Sequence, residues 1–391
     1  RTNLNNLKTQ QKNRLKTQGK LVPNISMVTY KDLDIRPFIN ASGTITTLGG
    51  SLMSDEVLDA MHHAARSFVD LNRLNVEAGD YLARRIGVEA AFVSCGAASG
   101  VQLSAAACLT GPDPKRVAAL PRTDCWKNEF VIPSVDPHIY IHQGIELCGG
   151  KLVRAGDRDG VTASDILSQV GDRTAAVVHF LGRQSKGQLA EVIEGCDRLG
   201  VPVMVDAAAQ LPPRSNLLEI PSMGASLVTF SGGKGMRGPQ SSGLVVGKKN
   251  LVDAVRMNAS PNSGVGRGMK VGKEEILGLV TAVDLFLRGS DAHDFTTWEW
   301  QATQIVEAVK VCEGVSASVL RDGQPAMPEF APRAYIEFET PDRIKNVIGK
   351  LRDGEPSVVV RRSENRIIID PMTMRPGDEE VVAQRLKEVL T

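Results

Sequence analysis

Two side chains of opposite charge stand behind apolar runs, 28 residues apart. Asp206 closes Val201-Pro-Val-Met-Val and opens Ala-Ala-Ala-Gln210. Lys234 follows Val228-Thr-Phe-Ser231 inside the turn Gly232-Gly-Lys-Gly235. A lysine amine in a glycine-rich turn can bond to an aldehyde without side-chain clashes. A carboxylate at a strand end can keep a pyridine nitrogen protonated, because adjacent opposite charges favour each other's ionised forms. Pyridoxal 5'-phosphate, an electron-sink cofactor, needs those two groups: the lysine for a Schiff base, the aspartate for the pyridinium.

Two further segments fit that chemistry. Ser94-Cys95-Gly96-Ala97-Ala98-Ser99-Gly100 joins an apolar run to a helical pattern. Small residues let the backbone approach an anion, and a helix start offers free N–H groups at a positive dipole end. Ser231, three residues before Lys234, can offer its hydroxyl to the same phosphate. Each part alone has a plainer reading: a tight turn at Gly96, a helix cap at Asp206 before three alanines, a surface lysine at 234. Their order along the chain, each behind an apolar run, points to a cofactor enzyme. Gln210, in the aspartate segment, joins the candidate cofactor set. His179 ends a strand and lies either beside the ring or in the core. The ring-stacking group is expected within residues 131–142, with Tyr140 and His142 as candidates.

The elements that must position these groups read as follows. Apolar runs at Ala90–Ser94, Ala175–Phe180, Val203–Asp206, Leu227–Phe230 and Leu244–Val246 alternate with helical patterns such as Ala97–Leu109 and Ala190–Leu199. Val-rich runs separated by helices predict an α/β fold with a mostly parallel sheet covered on both faces. Gly272 to Cys312 is predicted helical, broken at Gly289-Ser-Asp291, and bridges to a small C-terminal α+β domain. There Ala334–Phe338 alternates as a half-exposed strand does. Ser357–Val360 and Arg366–Ile369 are strands, and Asp342–Leu351 and Asp378–Leu390 are helices. The expected organisation is an N-terminal arm at 1–35, read as one amphipathic helix, a large domain at 36–290, and the bridging helix with the small domain at 291–391.

Composition excludes several classes. Lys+Arg is 46 and Asp+Glu 45, so no charge imbalance argues for nucleic acid or an anionic membrane. No apolar stretch approaches the roughly 20 residues of a membrane span. The polar, basic first 20 residues do not form a secretory signal. The six cysteines are scattered, without the spacing of a zinc site or redox pair, which fits a reduced, cytoplasmic setting. No metal is expected.

The whole pattern resembles the fold-type I pyridoxal-phosphate enzymes. More narrowly it resembles the selenocysteine synthase-like group, which includes seryl-tRNA selenium transferase and D-glucosaminate-6-phosphate ammonia-lyase. The resemblance rests on Arg36-Pro-Phe-Ile-Asn-Ala-Ser-Gly-Thr44, Val205-Asp-Ala-Ala-Ala-Gln-Leu-Pro-Pro213, Phe230-Ser-Gly-Gly-Lys-Gly-Met-Arg-Gly-Pro-Gln240, Arg267-Gly-Met-Lys-Val-Gly-Lys273, Leu351-Arg-Asp-Gly-Glu-Pro356 and Arg375-Pro-Gly-Asp-Glu-Glu380. It runs from about Arg36 to the C-terminus.

The resemblance implies chemistry that starts with loss of an α-proton, with Lys234 as the base and Asp206 holding the ring nitrogen protonated. The expected outcome is β-elimination of a hydroxy-amino acid or amino sugar acid to a 2-keto acid and ammonia. Racemization shares the first step and is the alternative. A selenium transferase-like activity and a non-catalytic cofactor-binding protein remain open. The transferase branch carries a tRNA-binding N-terminal domain and usually an acidic residue directly before the lysine, where this chain has Gly233. Thr44, Arg267 and Arg375 are the candidate substrate contacts, with Lys270, Arg361 and Arg362 as further candidate anion holders. The partners expected are a small-molecule substrate, no nucleic acid, no membrane, and a second copy. Fold-type I relatives build the site at a subunit interface, so a dimer or a multiple is expected, with residues 40–44 and Arg267 facing the neighbour's cofactor.

Overall fold

The computed structural model describes residues 27–321 and 331–391. The chain forms two compact units, Arg1–Phe38 and Ile39–Thr391. In the first, the described residues contain one 3-10 turn, Tyr30–Leu33. Asp32 ties it down by accepting from the Thr29 amide at 2.7 Å and the Thr29 hydroxyl at 2.8 Å. The amphipathic helix expected in the arm falls for the most part outside the described residues.

The second unit contains, in chain order, β1 (Ile39–Ala41), β2 (Ala90–Ser94), β3 (Glu129–Pro133), β4 (Lys151–Ala155), β5 (Thr174–Phe180), β6 (Val203–Asp206), β7 (Leu227–Ser231), β8 (Gly243–Gly247), β9 (Val315–Leu320), β10 (Arg333–Phe338), β11 (Val358–Ser363) and β12 (Arg366–Ile369). The larger sheet runs β2-β8-β7-β6-β5-β3-β4. From β7 to β4 all neighbours are parallel. Strand β5 is buried along its whole length. One face packs Val101, Ala105 and Leu109 of helix Ala97–Thr110 against Phe130, Val178 and Phe180. The other packs Leu189, Val192 and Ile193 of helix Lys186–Leu199 against Val177, Val203 and Val205. Burial on both faces explains why these strands read as continuous apolar runs.

Strand β8 breaks the rule, pairing antiparallel with both β2 and β7. The loop that holds Lys234 joins β7 to β8. A parallel return needs a crossover of about a dozen residues or more, usually helical. A short glycine-rich loop instead reverses the chain and stays at the strand ends.

The smaller sheet runs β1-β11-β12-β10-β9. Its pairs are antiparallel except β1–β11, which brings Ile39 beside Val358. Helices Asp291–Val309 and Asp378–Leu390 cover one face through Ala302, Ile305, Val382 and Leu386. The predicted helical stretch from Gly272 divides into Lys273–Arg288 and Asp291–Val309. Ser290 caps the second by accepting from the His293 amide at 3.3 Å.

The half-exposed strand predicted at Ala334–Phe338 is instead buried except at Glu337. It lies inside the sheet, where Arg333 and Asp370 form a buried ion pair at 3.0 Å and Arg366 lies over the Tyr335 ring. Arg333 of β10 itself, Arg366 of β12 and Asp370 beside β12 thus cover a face that the sequence pattern assigned to solvent. No helix among the described residues is long and apolar enough to cross a membrane.

Candidate active site

The carboxyl ends of β6 and β7 and the start of helix Ala97–Thr110 open onto one cavity of about 510 Å³. In parallel sheets this edge is where ligands bind. The cavity brings together Asp206, Ser231, Lys234, Gly96, Ala97, Ala98 and Thr44, all expected from sequence. Cys95, Thr46, Tyr140, Gln240 and Ser241 line it too.

Asp206 is not a helix cap. Its Oδ1 accepts from the Ala208 amide at 2.9 Å, and the three alanines form a turn, with the next helix starting only at Asn216. Burial pushes the Asp206 carboxyl above its ordinary pKa, against the pull of the Ala208 amide and of Lys234. Burial lowers Lys234, and Asp206 opposes that shift. Each group thus sits where desolvation works against its charge and the counter-charge opposes that shift without reversing it.

The Lys234 loop is fastened from outside. The Ser51 hydroxyl donates to the Lys234 carbonyl at 2.8 Å, and the Ser51 amide to the Gly233 carbonyl at 3.0 Å. Gln240 Nε2 donates to the Thr46 carbonyl at 2.8 Å. A Cβ on Gly50 would lie 2.3 Å from the Gly233 oxygen, so only glycine permits this approach.

The phosphate-loop candidate has a similar build. Gly96, with φ +130°, caps helix Ala97–Thr110 without a side-chain acceptor, leaving the first N–H groups to face the cavity. Ser99 does not line the cavity: its hydroxyl turns back to the Gly96 carbonyl at 2.8 Å. A Cβ on Gly243 of β8 would meet the Gly96 carbonyl carbon at 2.5 Å. The helix start can therefore sit close against the sheet only because position 243 has no side chain.

Other candidates fall elsewhere. His179 pairs with Val205 while Phe180 pairs with Asp206, so alternation along β5 puts the His179 side chain on the sheet face opposite Asp206. It is fully buried, and burial pushes its pKa down to about 4. It is a core histidine and not a ring neighbour within this unit. Gln210 is buried outside the cavity, its carbonyl accepting from Asn216 at 2.7 Å. His142 lines a different cavity. Arg267 reaches Ser260 at 3.5 Å, and Arg375 is exposed. Neither lines the cavity, nor do Lys270, Arg361 and Arg362.

Of the two ring-stacking candidates, Tyr140 lines the cavity and His142 does not; sequence reasoning did not name His138, whose ring lies 5.6 Å from that of Tyr140. The His138 ring stacks on Phe180, with centroids 6.4 Å apart and planes 28° apart, and Phe180 is paired with Asp206. Asp136, whose carboxylate is fully buried, accepts from His138 Nδ1 at 2.5 Å and from His142 Nε2 at 3.0 Å. The hydrogen bond to Asp136 raises the His138 pKa, and the Asp206 charge adds to that rise. His138 lay within the segment expected to supply a ring-stacking group. Only the register between β5 and β6 singles it out.

A β6 carboxylate, a β7–β8 loop lysine and a helix start at one cavity define a fold-type I pyridoxal-phosphate fold. The solved D-glucosaminate-6-phosphate ammonia-lyase superposes with a TM-score of 0.78 at 26% identity, over 95% of this chain and 99% of that one. The chain belongs to the family described as "SelA: L-seryl-tRNA selenium transferase", whose model matches residues 148–375. It is similar to a 5'-C-glycyluridine monooxygenase-decarboxylase from Streptomyces sp, at 33% identity over 92% of both chains. It is also similar to the D-glucosaminate-6-phosphate ammonia lyase of Salmonella typhimurium, at 28% identity over 94% of this chain and 98% of that one.

Proposed function

We propose that the chain uses pyridoxal 5'-phosphate to act at the α-carbon of a hydroxy-amino acid or amino sugar acid, eliminating a β-hydroxyl to give a 2-keto acid and ammonia. The observation that carries this reading is that Asp206 and Lys234 share a cavity with a side-chain-free helix start. The residues present fit the cofactor. The N–H groups at Gly96–Ala98 and the Ser231 hydroxyl suit its phosphate, Asp206 its ring nitrogen, Lys234 its aldehyde, and the His138–Tyr140 pair, of which Tyr140 lines the cavity, the face of its ring.

When bound, the cofactor supplies an aldehyde for the substrate amine and a sink for the electron pair left at the α-carbon. The chain does the rest. Asp206 holds a proton on the ring nitrogen. Lys234, its pKa lowered by burial, takes the α-proton as general base and, once charged, gives a proton to the departing β-hydroxyl. The ammonia-lyase names among the relatives support elimination as the outcome.

A second reading is favoured by the relative at 33% identity, whose name specifies oxygenation with decarboxylation. Both readings break a bond at the carbon that bears the amine. One assay separates them: cofactor-loaded protein is incubated with D- and L-amino acids, hydroxy-amino acids and amino sugar acid phosphates. Ammonia and keto acid in equal amounts, without oxygen uptake, support elimination. Carbon dioxide release with oxygen uptake supports the second reading and overturns the first. Exchange of the α-proton with neither product, accompanied by loss of optical purity in the substrate, identifies a racemase.

A further inference from the structure

A second cavity, of about 750 Å³, opens at the carboxyl ends of β3 and β4, on the same edge of the sheet as Asp206 and Ser231. Ser134, His142, Arg154 and Arg158 line it. Among the described residues neither Arg154 nor Arg158 has a carboxylate partner within ion-pairing distance. Of the acidic residues in the lining, Asp136 is fully engaged and Asp157 through one oxygen. Both oxygens of Asp136 are taken by His138 and His142, and its side chain is wholly inaccessible. Asp157 Oδ1 accepts from the amides of Asp159 and Gly160, at 2.9 Å each.

His142 is built into this wall and not merely near it. Its side chain is 7% exposed, its Nε2 is held by Asp136, and its Nδ1 lies 3.5 Å from Arg154 Nη2. A guanidinium can only donate, so Nδ1 accepts and Nε2 carries the hydrogen that Asp136 receives. The imidazole thereby braces Arg154 from behind and leaves its remaining N–H groups for the cavity. Two guanidinium groups and a serine hydroxyl share this lining, and neither arginine is neutralised by an ion pair among the described residues. That is the donor-rich surface a compact oxyanion needs, and arginine forks match its oxygens in pairs.

From these groups we infer that the β3–β4 cavity is a binding site for a phosphate group, held by Arg154 and Arg158, separate from the site at Gly96–Ala98. Neighbouring strands lie about 4.8 Å apart, so β4 stands three spacings, about 14 Å, from β6 and Asp206. The phosphate comes either from the far end of a phosphorylated substrate or from a free phosphate ligand.

The test is calorimetric titration of cofactor-loaded protein with inorganic phosphate, the loaded cofactor keeping the Gly96–Ala98 site filled. Saturable binding is expected. The double variant Arg154→Gln/Arg158→Gln should weaken it at least about tenfold, the loss expected for charge-assisted bidentate bonds. Arg288→Gln, on an exposed helix end, should leave it unchanged. Because Arg158 makes no hydrogen bond or ion pair among the described residues, Arg158→Gln alone should weaken binding while keeping the wild-type melting temperature. Absence of saturable binding, or binding that survives the double substitution, overturns the assignment. The titration needs no turnover, so it fails or holds apart from the reaction. Kinetics then identify the source. A rise in KM for a phosphorylated substrate but not for its unphosphorylated analogue makes the phosphate the substrate's own. Unchanged KM values with phosphate binding lost make it a separate ligand.

Discussion

Asp206 and Lys234 are both half-buried, and desolvation disfavours the charge on each. A carboxylate kept in such a place stabilises positive charge far better than one in water. Asp206→Asn preserves size and one acceptor but removes the charge. The chemical rate should fall roughly a hundredfold to a thousandfold, while cofactor affinity changes much less. Stopped-flow measurement of α-proton exchange checks this, and exchange at the wild-type rate would remove Asp206 from the chemistry. His138 gives a pH signature. Its pKa is raised chiefly by the hydrogen bond to Asp136. That pair therefore adds stability fully present below the unfolded imidazole's pKa of about 6.5 and lost as pH rises through the higher folded value. Asp136→Asn should shift the His138 titration to lower pH and flatten that part of the stability profile. Proton NMR of the ring reads the midpoint directly, and an unmoved midpoint would contradict the pairing.

At the scale of elements, glycines decide how closely the site can be assembled. Gly243 and Gly349 make a matched comparison. A Cβ at 243 would meet the Gly96 carbonyl carbon at 2.5 Å, whereas a Cβ at 349, inside helix Pro341–Asp353, would meet nothing within 4 Å. Gly243→Ala should cost about 1–3 kcal/mol through overpacking and should weaken cofactor binding by displacing the helix start. Gly349→Ala should stabilise by about 0.5–1 kcal/mol, since alanine loses less chain entropy in a helix. Thermal melts and cofactor titrations of the two variants check both signs.

The same elements mark what sequence made legible. Strands β5, β6 and β7 were readable because burial on both faces forces unbroken Val-rich runs, and Lys234, Asp206 and Gly96 stand at their ends or beside them. Strand β10 was misread because Arg333, Arg366 and Asp370 cover its outer face, a pairing between distant residues that no local pattern reveals. The two placements open to His179, beside the ring or in the core, could not be separated for a related reason. Whether it shares a face with Asp206 depends on the register of β5 against β6, and a one-residue change of register reverses the answer.

At the scale of the whole molecule, the cavity lacks something its proposed substrate needs. No arginine is among the described residues that line it, although an amino acid brings a carboxylate. Arg267 is exposed and forms no ion pair with a carboxylate among the described residues. Two copies related by a two-fold axis would complete each other's sites, as isologous interfaces permit. Sedimentation should give a dimer or a multiple of it. Mixing inactive Lys234→Ala with inactive Arg267→Ala should restore about one quarter of wild-type activity, because half the dimers are mixed and each has one intact site. A fully active monomer would contradict this. The central claim, that Lys234 carries the cofactor, has a more direct test. Purified protein loaded with pyridoxal 5'-phosphate is treated with borohydride, digested and mapped by mass spectrometry. The account predicts that the retained cofactor maps to Lys234 and that Lys234→Ala retains none. An adduct on another lysine, or none on the wild-type chain, would contradict it.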